Sequence, residues 1–552
     1  MQNFKYNDVK PFSALYEIFT MAKDEAGNSL AVKHKVNKQV ISVTYKELHD
    51  DIISLYNALC ENGWDSSHIG CIGENSYKWV LAFVTTLVSD GVFVPADKEL
   101  PPDDIINVLS HGDTKVVFCS KKHEAIIMPR RAELPNVEKF ICFEREEDEG
   151  DFLSFDKFFN MGKEKVESGE YKVPNIDRDK NKLKLLVYTS GTTGKAKGVM
   201  LSEKNIASLV YHGLRVSTIY DTCLSVLPYH HTYGAVCDVL VSFHKHSLLC
   251  INDSLKAVLA NLSLYKPTHI MLVPMFVETF YNRIQKTLEE KGKAKLVNTM
   301  IKVSNGLRKV GIDLRHVFFK ELHQVFGGRL RKMVCGGAPI RPEVGYFFDS
   351  IGIIIGNGYG ITECSPLVST NRDIDNDPAT VGYILPCIEV KIENPYDDGI
   401  GEICVKGDTV MLGYYKNEEE TAAALIDGWF NTGDYGCFNK KGQLMITGRK
   451  KNLIVLSNGK NIYPEEIEDY IMNIPEVLET VVFAPKTADG EQKSLTARVF
   501  LETPLSEDEI KVKIREALKE LPVYKQIKDV IIHEEEFEKT TTKKIKRNLY
   551  NN

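Results

Sequence analysis

Three short apolar runs in this chain stop abruptly at glycines, and no other feature narrows its fold as much. Leu185, Leu186 and Val187 lead into a loop holding Gly191, Gly194 and Gly198. Met333, Val334 and Cys335 stop at Gly336 and Gly337. Ile353, Ile354 and Ile355 give way to Gly356, Gly358 and Gly360. Runs of this length followed by glycine read as buried strands ending in tight turns. Further runs at 69–72, 91–96, 115–119 and 269–274 read the same way. Helical patterns lie between them, such as the stretch with Trp79, Phe83 and Leu87 and the segment 276–288. Strands alternating with helices predict an α/β fold with a parallel sheet. Ligands of open sheets in this class sit at the carboxyl ends of strands, so the three glycine junctions are expected to converge on one site.

A chain of 552 residues exceeds what one core accommodates. Between 382 and 406 the pattern changes to short alternating strands, 389–393 and 401–406, which suggests a small β-rich subdomain. Beyond Lys451 the order is helix 464–474, strand 480–484, strand 495–501, helix 507–521, strand 530–533. The second helix sets Ile510, Ile514, Ala517, Leu518 and Leu521 on one face. The expected division is an N-terminal domain, 1–450, and a C-terminal α+β domain, 451–552. The lysine-rich, mostly helical segment 289–329 reads as an insertion between core elements.

The net charge of −7 gives no nucleic-acid footprint. The twelve cysteines include no Cys-x-x-Cys pair, so they read as reduced thiols rather than a metal site or a disulfide framework. Residues 1–8 lack a signal-peptide layout, and no stretch reaches the roughly 18 apolar residues of a membrane span. A cytoplasmic protein is expected; peripheral membrane contact and oligomeric state are left open.

The chemistry-bearing residues fall in clusters. The loop from Tyr188 to Ser202 combines glycines with the hydroxyls of Thr189, Ser190, Thr192 and Thr193 and with Lys195 and Lys197. Glycine lets successive backbone N–H groups turn toward one anion, so a polyphosphate is the natural guest. It is not the common P-loop, because Lys195 is followed by Ala196 and Thr189 stands where the first glycine belongs. At 358–363 a glycine turn precedes Thr362 and Glu363, whose carboxylate suits Mg²⁺, a hard cation that bridges phosphates. Asp434 can accept both hydroxyls of a ribose, with Arg449 adding a charged contact. Taken singly, each cluster has a plainer reading: a linker loop, a surface carboxylate, a surface ion pair. The basic run 539–547 reads alone as a solvated tail, His231 as a core histidine, and 457–468 as a turn and helix start.

Their identity and order together resemble the signatures of the adenylate-forming superfamily, which includes acyl-CoA synthetases, luciferases and adenylation domains. The resemblance spans residues 188–547 and is strongest to AMP-forming acyl-CoA synthetases. It implies that Thr189, Ser190, Gly191, Thr192, Thr193, Gly194, Lys195 and Lys197 hold the pyrophosphate end of ATP. It assigns Gly337 and Ala338 to the edge along the adenine and Tyr359 to stacking on that base, with Gly360 beside it in the same motif. Thr362 contacts the α-phosphate and Glu363 binds Mg²⁺, while Asp434 and Arg449 bind ribose. Lys451 becomes the hinge of a mobile C-terminal domain. Lys544, in register with Ile545 and Arg547, becomes the catalytic lysine, and Gly459 borders the coenzyme A channel. His231 closes the acyl pocket beside the reacting carboxylate. Three positions depart from the family pattern: Asn452, Glu538 and Lys543, where aspartate, proline and glycine are usual. The insertion resembles that of bacterial long-chain fatty-acid–CoA ligases. The implied reaction joins a carboxylic acid, expected to be a fatty acid, to ATP and then to coenzyme A. An adenylating ligase that loads a carrier-protein phosphopantetheine shares every motif, and a non-catalytic nucleotide-binding protein is the alternative of another class. Position alone suggests Tyr233, Pro274 and Met275 for the acyl pocket.

Overall fold

A computed structural model describes residues 4–189, 196–456, 461–485, 494–539 and 545–550. The chain forms two compact units, Met1–Glu389 with Val405–Phe430, and Val390–Cys404 with Asn431–Asn552.

Two sheets build the first unit. One has nine strands in the order Tyr383–Ile384, Leu367–Thr370, Ile354–Gly360, Lys332–Cys335, His269–Leu272, Thr222–Ser225, Leu248–Ile251, Leu30–Val36 and Gln39–Thr44. Its centre, from Ile354–Gly360 to Leu30–Val36, is parallel throughout. The other has eight strands: Gly413–Tyr414, Lys197–Ser202, Leu183–Thr189, Val92–Pro95, His68–Ile72, Val116–Cys119, Lys139–Cys142 and Phe152–Ser154. It is parallel from Leu183–Thr189 onward. Strands such as Val116–Cys119 are buried at every position, which is why they read as unbroken apolar runs. Helices begin at side-chain caps. Thr44 Oγ1 accepts from the Glu47 N–H, and the Glu47 carboxylate accepts from the Thr44 N–H in return, starting Tyr45–Glu61. Ser202 plays the same part for Glu203–Val216.

The expected α/β class is borne out, with two local differences. Both sheets carry antiparallel edge strands, because the chain doubles back at Thr189↔Lys197 and at Gly358↔Thr370. Gly358, Tyr359 and Gly360 are also not a turn: they continue the strand Ile354–Gly360, held there by pairing with Leu367–Thr370. The segment read as an insertion forms the helices Ala294–Arg308, Arg315–Phe318 and Lys320–Val325. Val297, Phe319 and Phe326 pack into the same core as Ile270, Leu272 and Met333.

A π-helical segment, Tyr233–Leu240, buries Asp238 completely. Its carboxylate accepts from Ser225 Oγ at 2.6 Å and Cys223 Sγ at 2.9 Å. Burial pushes this carboxyl up to about 6, outweighing the lowering by those two donors. An unfolded aspartate titrates near 3.9. Between about pH 4 and pH 6 the folded state therefore binds more protons than the unfolded state, and stability falls as pH rises through that window. The full shift corresponds to about 3 kcal/mol, of which about 1 kcal/mol is lost between pH 5 and 7. Urea unfolding of the protein and of Asp238→Asn at both pH values should show that slope in the first and not in the second.

In the second unit, Val477–Phe483 pairs antiparallel with Thr496–Leu501, which lies parallel to Asp529–His533. The helix Glu507–Ala517 makes the crossover between the parallel pair, started by a Ser506–Glu509 capping box. Ile467, Ile471, Val482, Ala497, Val499, Ile510, Ile514 and Val530 form its core. Among the described residues no helix is long and apolar enough to cross a membrane.

Candidate functional site

In the nine-stranded sheet, three neighbouring parallel strands present their carboxyl ends at one edge, and Thr222–Ser225 lies next to them. Gly336 and Gly337 follow Lys332–Cys335, Tyr359 and Gly360 end Ile354–Gly360, and His230 and His231 follow Thr222–Ser225. Gly337 has φ +88°, a conformation glycine adopts without strain, and leads to Ala338. At Gly336 a Cβ would lie 3.4 Å from the Gly358 oxygen and 3.5 Å from the Tyr233 ring, in ordinary van der Waals contact with both.

The eight-stranded sheet contributes a second edge. Thr189 and Lys197 are register partners at its end; Ser190, Gly191, Thr192, Thr193, Gly194 and Lys195 lie outside the described residues. Lys197 Nζ pairs with Glu420 Oε2 at 2.7 Å and sits 5.4 Å from the centre of the Tyr414 ring. The Tyr414 hydroxyl donates to Glu363 Oε1 at 3.0 Å, and the Met411 N–H donates to the Glu363 carbonyl at 2.9 Å. Burial, and then the adjoining Glu363 carboxylate, hold the Tyr414 phenol far above its ordinary range, so it stays a donor. Thr362 and Glu363 thus sit on a short turn, Thr362–Cys364, braced by 411–414. The two edges meet again at Asp97, just beyond Val92–Pro95, whose Oδ1 lies 3.3 Å from His230 Nε2. The His231 ring lies 4.1 Å from that of His230.

An apolar cavity of about 100 Å³ opens from the glycine edge. Tyr233, Cys237, Met271, Val334, Gly358 and Leu367 line it, with the helix Glu203–Val216 forming one wall through Leu209, Gly213 and Leu214. Of the residues suggested by position, Tyr233 lines the cavity. Pro274 and Met275 do not.

In the second unit, Asp434 and Arg449 are register partners on the hairpin formed by Trp429–Phe438 and Leu444–Arg449. Arg449 Nε meets Asp434 Oδ1 at 2.7 Å, the carboxylate buried and the guanidinium part-exposed. Lys451 follows in the turn Lys450–Asn452. Gly459 and Lys544 lie outside the described residues. Arg547, three positions beyond Lys544, donates from one nitrogen to both oxygens of Glu468, at 2.7 and 2.6 Å, and from another to the Val482 carbonyl at 2.8 Å.

Tyr414, Glu420 and the Asp97–His230 contact were not foreseen from the sequence. Tyr414 is 51 positions from Glu363 and Glu420 is 223 from Lys197. No local spacing carries such pairings.

The fold is shared with solved structures. The anthranilate CoA ligase AuaEII in complex with anthranoyl-AMP superposes with a TM-score of 0.79 at 18% identity, covering 98% of this chain and 97% of that one. ATP-bound MatB from Rhodopseudomonas palustris gives 0.75 at 22% identity, covering 98% of each chain. At such identities the likeness is one of fold. The AMP-binding enzyme family matches residues 21–415, and the chain belongs to that family. Long-chain-fatty-acid–CoA ligase 5 of Rattus norvegicus is 29% identical over 522 residues, spanning 87% of this chain and 74% of that protein.

Proposed function

We propose that the protein activates a long-chain fatty acid to its coenzyme A thioester, with ATP converted to AMP and pyrophosphate. The observation that carries this reading is an apolar cavity ending at the glycine edge that also bears Tyr359, beside the braced Glu363. The kinship with the rat ligase supports a long-chain acid, and the ATP- and acyl-AMP-bound neighbours support the nucleotide.

In the first half-reaction a carboxylate oxygen of the fatty acid attacks the α-phosphorus of ATP, forming the acyl-phosphate bond as the bond to pyrophosphate breaks. Such a step needs alignment and neutralisation of developing charge. We assign the pyrophosphate end to residues 189–197, adenine to Gly337, Ala338, Tyr359 and Gly360, and ribose to the Asp434–Arg449 pair. Thr362 and Lys544 serve the α-phosphate. Glu363 suits Mg²⁺: Tyr414 engages Oε1, while Oε2 has no hydrogen-bond partner among the described residues and offers the hard oxygen that this cation takes. A bound Mg²⁺ would supply charge neutralisation at the phosphates. His231 borders the reacting carboxylate. In the second half-reaction the domain beyond Lys451 turns, bringing Gly459 to the coenzyme A channel, and the thiol displaces AMP. The cytoplasm is the proposed setting, supported by twelve cysteines without a disulfide.

The acceptor is tested by incubating the enzyme with a fatty acid, Mg·ATP and either free coenzyme A or a phosphopantetheinylated carrier protein. Thioester on free coenzyme A supports the proposal. Thioester on the carrier protein alone would transfer the chain to the carrier-loading class.

A further inference from the structure

A buried hydroxyl, that of Ser217, lines the acyl cavity. From Gly336 its lining passes Cys335 and Val334 and reaches Ser217, the residue just past the helix Glu203–Val216, which is itself buried. Behind it stands Lys332, whose side chain is fully buried. Lys332 Nζ donates to Ser217 Oγ at 2.8 Å and to the Thr218 carbonyl at 3.1 Å, and forms an ion pair with Asp373 Oδ1. Asp373 Oδ2 accepts from the Tyr220 hydroxyl at 2.8 Å.

This network has a definite polarity. A buried ammonium is tolerated when it is paired and its protons are used, and all three protons of Lys332 have acceptors. Lys332 donates to Ser217 Oγ, so the serine's own proton must point elsewhere. Among the described residues it has no acceptor. A donor left facing the methyl end of a hydrocarbon costs about 1–3 kcal/mol, whereas an oxygen on the substrate would satisfy it. The ammonium has no proton to spare for a second carboxylate, so the matching group is an uncharged oxygen.

Resting on the fatty-acid reading above, we infer that this cavity takes, at Ser217, an uncharged oxygen at the distal end of the acyl chain, and that Ser217 sets a preference for ω-hydroxy over unsubstituted fatty acids. Lys332 and Asp373 act as positioning residues, holding the serine hydroxyl with its proton turned into the cavity.

The test compares kcat/KM for carboxylate-dependent ATP–pyrophosphate exchange between saturated acids of increasing length and their ω-hydroxy counterparts. At the length that reaches Ser217, the hydroxy acid should exceed its parent by about tenfold, the worth of one net hydrogen bond. In Ser217→Ala, and in Ser217→Val as a second variant, that ratio should fall to about one. A ratio at or below one at every length in the unaltered enzyme overturns the inference, as does a preference that survives both substitutions. Exchange with the unsubstituted acids but without such a preference overturns this inference alone. Absence of exchange with every acid would overturn the fatty-acid reading with it.

Discussion

Lys544→Ala is expected to lower adenylation by about 10²–10³-fold while leaving thioester formation from supplied acyl-AMP largely intact. A positive charge beside the α-phosphorus under attack, from which pyrophosphate leaves, is worth far more in a water-poor site than in bulk solvent, because the charge it meets develops only in the transition state. The choice of lysine rests on register. Ile545 bridges Lys539 and Lys546 donates its N–H to the Glu538 carbonyl, while Arg547 is anchored on Glu468. Lys543→Ala, one position away, is the matching control and should change either half-reaction by less than about threefold, the range of an exposed charge contact. Equal loss of both half-reactions in Lys544→Ala would contradict the division of labour, and so would a larger effect at Lys543.

Arg547→Ala is expected to destabilise the second unit by about 3–5 kcal/mol. Burial raises the Glu468 carboxyl and the Arg547 guanidinium opposes that rise. Glu468 also accepts from the Val482 N–H at 2.6 Å, fixing its helix to the strand Val477–Phe483. Removing the arginine leaves a buried carboxylate with one donor in place of three and strands the Val482 carbonyl. The loss should shrink in the double variant Arg547→Ala/Glu468→Gln, because a neutral amide no longer needs a counter-charge. Denaturant unfolding of the unaltered protein, Arg547→Ala, Glu468→Gln and the double variant measures the coupling directly. A loss below about 1 kcal/mol, the range of exposed ion pairs, would show that the pair is not the anchor described here.

What was legible in the sequence was whatever is written locally. Apolar runs broken by glycine marked Leu183–Thr189, Lys332–Cys335 and Ile354–Gly360, since a strand buried on both faces needs no alternation and a glycine is needed where backbones crowd. The second unit was equally readable, because the face formed by Ile510 and Ile514 has helical spacing. Gly358–Gly360 reads as a turn because Gly356, Gly358 and Gly360 fall within five residues. The partner strand Leu367–Thr370 keeps it extended, and that pairing is tertiary. Asp434 and Arg449 were singled out by resemblance, yet their direct contact follows from a hairpin whose register the sequence does not display. Lys332 was invisible as a buried group. Lysine is almost never fully buried unless paired, and its partners Ser217 and Asp373 lie 115 and 41 residues away.

The central claim is that this chain joins a carboxylic acid to AMP. Carboxylate-dependent exchange of labelled pyrophosphate into ATP, measured with Mg²⁺ across a panel of short-, medium- and long-chain fatty acids and aryl acids, tests it most directly. The expected result is exchange that requires the acid, is strongest with long-chain fatty acids, and is accompanied by AMP and acyl-CoA once coenzyme A is added. No exchange with any acid, in protein that folds and binds ATP, would contradict the account.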